Sequence, residues 1–223
     1  MSKPEHQLSC ADCSTRGCYH RQEKFPKFCL TTSLKAEEKS AVKDRYSQGE
    51  MHRVMQAAAE VEGKFYGKLT RVEETLKFAS LLNVKKIGIA CCTGLADEAR
   101  IFTRIARTQG FEVVCVLCKV GSFDKTEMGI PEGVKLNPGE FEATCNPIMQ
   151  AYILNREKTD LNVAIGLCVG HDAIFTRHSD SLVTTLIAKD RVLAHNPVAA
   201  LYTSGSYYKK LFKEAVSENT RRT

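Results

Sequence analysis

The sequence predicts an α/β protein with a mostly parallel, doubly wound sheet of Rossmann-like or flavodoxin-like type, preceded by a cysteine-rich module. Three observations predict it. Short continuous apolar runs, "KKIGIACC", "FEVVCVLC", "LNVAIGLCVG" and "SLVTTLIAKD", alternate with helical stretches, as in a parallel sheet covered on both faces. Helix-start and glycine signals separate these runs at βαβ distances. The first 33 residues lack such periodicity and carry four of the ten cysteines instead.

Along the chain, residues 1–33 read as a small module in which Cys10, Cys13, Cys18 and Cys29 are spaced C-x2-C-x4-C-x10-C. The first pair lets two thiolates reach one ion or cluster from a single turn, and the second pair completes four ligands. With so little apolar sequence, metal ligation has to order this stretch. The spacing matches neither paired zinc-ribbon knuckles nor the tighter bacterial ferredoxin run, and His6 or His20 can replace a cysteine.

Residues 34–83 form a charged helical connector that packs on the main domain. Val54, Ala58, Val61, Phe65, Leu69, Val72, Leu76 and Ala79 recur at spacings of three and four, giving one or two amphipathic helices interrupted at Gly63 and Gly67. Residues 84–223 form the α/β domain. "KKIGIACC" is its first strand, "LADEARIFTRIARTQG" an amphipathic helix closed by Gly110, and "FEVVCVLC" the second strand. A helix opens at Asn146-Pro147, with asparagine as N-cap and proline at the first helical position. "LNVAIGLCVG" and "SLVTTLIAKD" supply the third and fourth strands, and "AHNPVAALY" repeats the Asn-Pro helix start with His195 where Cys145 stands in the first copy.

Composition narrows the function classes. A 223-residue chain that is 43% apolar buries a real core. The N-terminus has no signal-peptide core and no run is long enough to span a bilayer, so a cytoplasmic location without membrane association is expected. Thiols stay reduced there, and ten cysteines then favour metal or redox chemistry over a disulfide framework. The net charge of +6 is dispersed, with no basic block interleaved with aromatics, so no nucleic-acid partner is expected.

On this outline Cys91 and Cys92 end the first strand, Cys118 the second and Cys168 the third, while Cys145 stands at the mouth of the helix opened by Pro147. The carboxyl ends of parallel strands share one edge, where open α/β sheets bind ligands. Cys118, Cys145 and Cys168 are therefore expected to share a centre, with Cys91 or Cys92 as fourth ligand. Four thiolates suit an iron–sulfur cluster or zinc. Cys115, in mid-strand, reads as core. His171 and Asp172 follow Cys168 out of the third strand, and Lys189, Asp190 and Arg191 leave the fourth at the same edge. His171, Asp172, Lys189 and His195 are the catalytic candidates, as proton donors or orienters beside the centre. His52 and His178 read as helix-surface residues.

The strings "CCTGLADEA", "LCKVG", "CNPIMQAYILN", "TDLNVAIGLCVGHDAIF" and "KDRVLAHNPVAALY", behind the four-cysteine group, resemble the predicted metal-binding family catalogued as domain of unknown function 1847. The resemblance runs along almost the whole chain. It implies metal binding, an anaerobic or archaeal source and a cytoplasmic protein, and marks Cys118, Cys145, Cys168, His171, Asp172, Lys189, Asp190, His195 and Asn196 as motif positions, with either Cys91 or Cys92. It supplies no reaction. The sequence has neither a phosphate-binding G-x-x-x-x-G-K-[ST] loop nor a G-x-G-x-x-G fingerprint. The expected protein carries an iron–sulfur cluster, 4Fe–4S in type, at the N-terminal centre and a second centre at the sheet edge. It acts in redox chemistry or small-substrate activation with a redox partner or small molecule. The alternative is a non-catalytic zinc-binding or metal- or redox-sensing module.

Overall fold

A computed structural model describes residues 9–21 and 24–213, so His6 lies outside the described residues. The chain divides into two compact units, residues 1–63 and 64–223.

The first unit begins with a 3-10 turn, Cys10–Asp12, whose start is capped by the Ser9 hydroxyl accepting from the Ala11 N–H. Four helices follow: α1 (Gly17–His20), α2 (Leu30–Ser33), α3 (Ala36–Arg45) and α4 (Gly49–Phe65), which runs two residues past the division. Among the described residues up to Ser33, Gly17 alone is buried. It has to be glycine, because a Cβ there would lie 2.8 Å from the Lys24 carbonyl oxygen. Gly63, expected to interrupt a helix, lies inside α4. Its cost of about 1 kcal/mol is small against the cooperativity of a helix this long. Gly67, with φ +67°, follows the helix end.

The second unit opens with α5 (Arg71–Leu81), started by a capping box in which the Thr70 hydroxyl accepts from the Glu73 N–H while the Glu73 carboxylate accepts from the Thr70 N–H. Strand and helix then alternate: β1 (Lys86–Cys91), α6 (Ala96–Thr108), β2 (Glu112–Leu117), α7 (Pro147–Arg156), β3 (Leu161–Ile165), α8 (His171–His178), β4 (Leu182–Ile187) and α9 (Val198–Tyr202). The four strands pair entirely in parallel in the order β2-β1-β3-β4, which is flavodoxin-like or Rossmann-like. No described helix is long and apolar enough to cross a membrane.

Side-chain alternation explains why the sheet is covered on both faces. Ile87, Ile89 and Cys91 of β1 and Leu161, Val163 and Ile165 of β3 bury one face with Leu76 and Ala79 of α5 and Ala99, Phe102 and Ala106 of α6. Ala90, Val116 and Ala164 bury the opposite face with Ala151 and Leu154 of α7 and Phe175 of α8. Two polar side chains are fully buried on that second face. Gln150 of α7 donates to the carbonyls of Cys91 and Val116 at 3.2 and 2.8 Å. Asn162 of β3 accepts from the Thr159 hydroxyl and donates to the Ser179 hydroxyl, and it fits because its partner across the strand pair is Gly88.

Cys115 corrects its reading as core. β2 is an edge strand with β1 as its single neighbour, so Cys115 is exposed, with its Sγ 3.7 Å from that of Cys91.

Between β2 and α7 the chain makes a long excursion ordered by charge rather than by a core. The Asp124 carboxylate accepts from the Thr126 N–H and hydroxyl at 2.8 and 2.7 Å, from the Glu142 N–H at 2.8 Å, and pairs with Lys135 at 2.9 Å. The Thr126 hydroxyl, then its N–H, then the Lys135 ammonium hold this carboxyl well below the usual carboxylate range. A depressed folded-state pKa gives stabilisation that is complete above the unfolded value of about 3.9 and is lost as pH falls further. Asp124→Ala is therefore expected to open residues 123–143 at neutral pH, read as faster tryptic cleavage after Lys125 and Lys135, whereas the natural chain opens there only below about pH 4.

Candidate functional site

Parallel pairing places the carboxyl ends of all four strands at one edge, and the order in which strands join the sheet reverses between β1 and β3, the position where folds of this type form a crevice. The loops leaving these two strands are locked together. The Cys92 N–H donates to the Ile165 carbonyl at 3.0 Å, and Gly166, at φ +63°, passes so near Leu95 that a Cβ would lie 2.7 Å from its Cδ1. Cys91 ends β1, whereas Cys92, Cys118 and Cys168, expected to end their strands, lie in the loops just beyond β1, β2 and β3 at this edge, because the strands stop at Cys91, Leu117 and Ile165.

Of the cysteines expected to share the edge centre, Cys118 and Cys145 are brought into contact. The Cys145 thiol donates to Cys118 Sγ at 3.9 Å, and Cys118 also receives the Thr93 N–H at 3.4 Å and approaches the Thr93 hydroxyl at 3.5 Å. These donors, Cys145 foremost, hold the Cys118 thiol well below its usual range in spite of its burial. The same hydrogen bond, together with burial, pushes Cys145 up. Asn146 caps α7 by accepting from the Met149 N–H at 3.0 Å with Pro147 in the first turn, which is the helix start the sequence predicts.

The remaining edge residues form separate pairs. Lys189 Nζ donates to Cys92 Sγ at 3.2 Å, and Arg191 donates to Cys168 Sγ at 2.9 Å. Cys91 is fully buried. Its hydrogen bond to Cys115 and its burial push its thiol up, and the same bond lowers Cys115. His171 and Asp172 occupy the first turn of α8, whose N-terminal residues bond to the Cys168 carbonyl, and the Asp172 carboxylate accepts from the Ala173 N–H.

His195 differs from its expected setting. It sits at φ +62° after Ala194 at φ +49°, in a turn where its Nδ1 accepts from the Asp190 N–H at 3.1 Å and the Asp190 carboxylate accepts from the N–H groups of Val192 and Leu193. α9 starts at Val198 with Pro197 as its cap residue and no side-chain cap, so Asn196 does not repeat the role of Asn146. The left-handed pair 194–195 turns the chain before the Asn-Pro sequence can act as a helix start.

In the first unit, Cys10, Cys13, Cys18 and Cys29 line one cavity of about 360 Å³ with Phe25, Phe28 and Arg16. Cys13 is lowered by the Thr15 hydroxyl and neighbouring backbone N–H groups, and Cys29 by the N–H groups of Thr32 and Thr31. Among the described residues, no three His, Cys, Asp or Glu side chains gather closely enough to hold a single metal ion, at this cavity or at the sheet edge. Thr93, Arg191 in its contact with Cys168, and Gln150 are site elements that sequence reasoning did not single out. The threonine and the glutamine lie inside the strings "CCTGLADEA" and "CNPIMQAYILN", but neither is of a type that marks metal or redox chemistry.

The fold and the edge define a cysteine-rich, flavodoxin-like α/β protein with thiols gathered at its strand ends. The chain belongs to the DUF1847 family of proteins of unknown function, whose model matches residues 29–186 and thus begins at Cys29. An uncharacterized protein, MJ0455, of Methanocaldococcus jannaschii is 40% identical over 206 residues, covering 92% of this chain and 99% of its own. No solved structure matches the chain.

Proposed function

We propose that the protein is a redox iron–sulfur protein in which Cys10, Cys13, Cys18 and Cys29 hold a cluster, 4Fe–4S in type, and the thiols at the sheet edge carry chemistry on a small substrate or a redox partner. The observation that supports it is that four cysteines line one cavity in a stretch whose single buried described residue is a glycine. Such a stretch gains too little from apolar burial to order itself, and a thiolate-bound group supplies the missing free energy. A bound cluster contributes one-electron transfer. Arg16, beside the four thiols, offsets their negative charge, and the donors to Cys13 and Cys29 favour the thiolate forms that ligation needs.

At the edge, Lys189 on Cys92 and Arg191 on Cys168 place positive charge against two thiols, and His171 and Asp172 at the start of α8 and His195 in the turn after β4 supply proton-handling groups. A second metal centre there requires Cys168 to leave Arg191 and join Cys118 and Cys145. The competing reading is a zinc-binding or sensing module. Iron and acid-labile sulfide in the anaerobically isolated chain decide between the two.

A further inference from the structure

We infer that Cys118 and Cys145 form a reversible disulfide, making the sheet edge a dithiol–disulfide exchange site for low-molecular-weight aliphatic disulfides and their thiols. The geometry of the pair carries this. The Sγ atoms are 3.9 Å apart, and the backbones already run side by side: the Cys118 carbonyl accepts from the Asn146 N–H at 2.7 Å while the Cys118 N–H donates to Cys91 at 2.8 Å. Cys145 therefore lies beside the end of β2, and the disulfide forms when the sulfurs close from 3.9 Å to the bonding distance of about 2.05 Å. The other close thiol pair shows that sulfur proximity alone is not enough. Cys115 is in register with Ile89, leaving Cys91 two residues along the neighbouring strand, a diagonal of about 7–8 Å that a disulfide does not span without backbone movement.

The two sulfurs have different environments, and the difference assigns their roles. Cys145 is partly exposed and meets the incoming disulfide, whereas Cys118 is buried under the Thr93 N–H and hydroxyl. The Cys145 sulfur attacks the disulfide RS–SR, forming Cys145–S–SR and expelling RS⁻, as Cys118, which already accepts its S–H, takes the Cys145 proton and hands it to the departing RS⁻. The Cys118 thiolate next attacks the Cys145 sulfur, the protein disulfide forms, and a second RS⁻ departs. Two electrons leave the protein pair, and RS–SR becomes RSH and RS⁻. In the reverse direction an external thiolate attacks Cys145, and Cys118 leaves as a thiolate stabilised by Thr93.

The test incubates the reduced full-length chain with oxidised glutathione and maps its tryptic peptides by mass spectrometry. A Cys118–Cys145 cross-link that dithiothreitol reverses is expected, with little adduct at either cysteine. Cys118→Ser removes the resolving thiolate, so the glutathione adduct on Cys145 should rise on the order of ten-fold; Cys118→Ala serves if the serine variant does not fold. Cys145→Ser should leave Cys118 unmodified. Separate adducts on both cysteines of the natural chain would overturn the proposal, as would the absence of any reaction, the result expected if both thiols were bound to metal. Iron content read on the same samples keeps the N-terminal proposal separate, since the cross-link does not depend on it.

Discussion

Replacing Cys10, Cys13, Cys18 and Cys29 together by serine is expected to abolish iron binding at the N-terminal centre and raise hydrogen exchange across residues 9–33 to near unfolded-chain rates. The sheet should be untouched. The large effect follows from the lack of any alternative source of order: up to Ser33, Gly17 is the single buried residue among those described, and α1 and α2 have four residues each, far below the length at which a helix persists alone. Structural metal binding supplies on the order of 10 kcal/mol to coreless modules, more than their whole folding free energy. The strands from Lys86 to Ile187 belong to the other compact unit and carry their own core, so their exchange protection should stay within about two-fold. Protection of residues 9–33 that survives the quadruple substitution would show that something other than ligation orders them.

Gly88→Val is expected to be the most damaging single substitution in the sheet. A Cβ at Gly88 would lie 2.0 Å from Asn162 Oδ1 and 3.1 Å from Leu154 Cδ1, both in fully buried side chains. Asn162 cannot swing aside cheaply, because it accepts from Thr159 and donates to Ser179, and a displaced amide would be left buried and unpaired. Overpacking and the broken polar pairs together cost on the order of 4 kcal/mol, a large part of the stability of an ordinary domain. Urea unfolding of the second unit measures this. Alanine costs less but meets the same oxygen, and a midpoint unchanged in either variant would mean that the Gly88–Asn162 pairing is not as tight as described.

The sheet was legible because its strands are short, apolar and nearly continuous. β3 is buried at all five of its positions, which leaves an unbroken run in the sequence, and the Asn146-Pro147 start of α7 is written in local cap chemistry. What local sequence does not carry is sheet order. Cys115 stands among valines and leucine exactly as a core residue does, and its exposure follows from β2 having no second neighbour. The same limit applies to the site. That Cys118 and Cys145 meet across 27 positions was foreseeable from strand ends sharing an edge, but the capture of Cys168 by Arg191 and of Cys92 by Lys189 depends on how loops from β1, β3 and β4 cross. The second Asn-Pro shows a local signal overruled by its neighbours, since the left-handed Ala194 and His195 set the chain direction first.

The central claim, a cluster held by the four N-terminal cysteines, is tested most directly by counting iron and acid-labile sulfide in the chain isolated without oxygen. The account predicts about four iron and four sulfide per chain, lost together in the quadruple serine variant. About one zinc per chain with no sulfide would contradict it and favour the closed structural site instead.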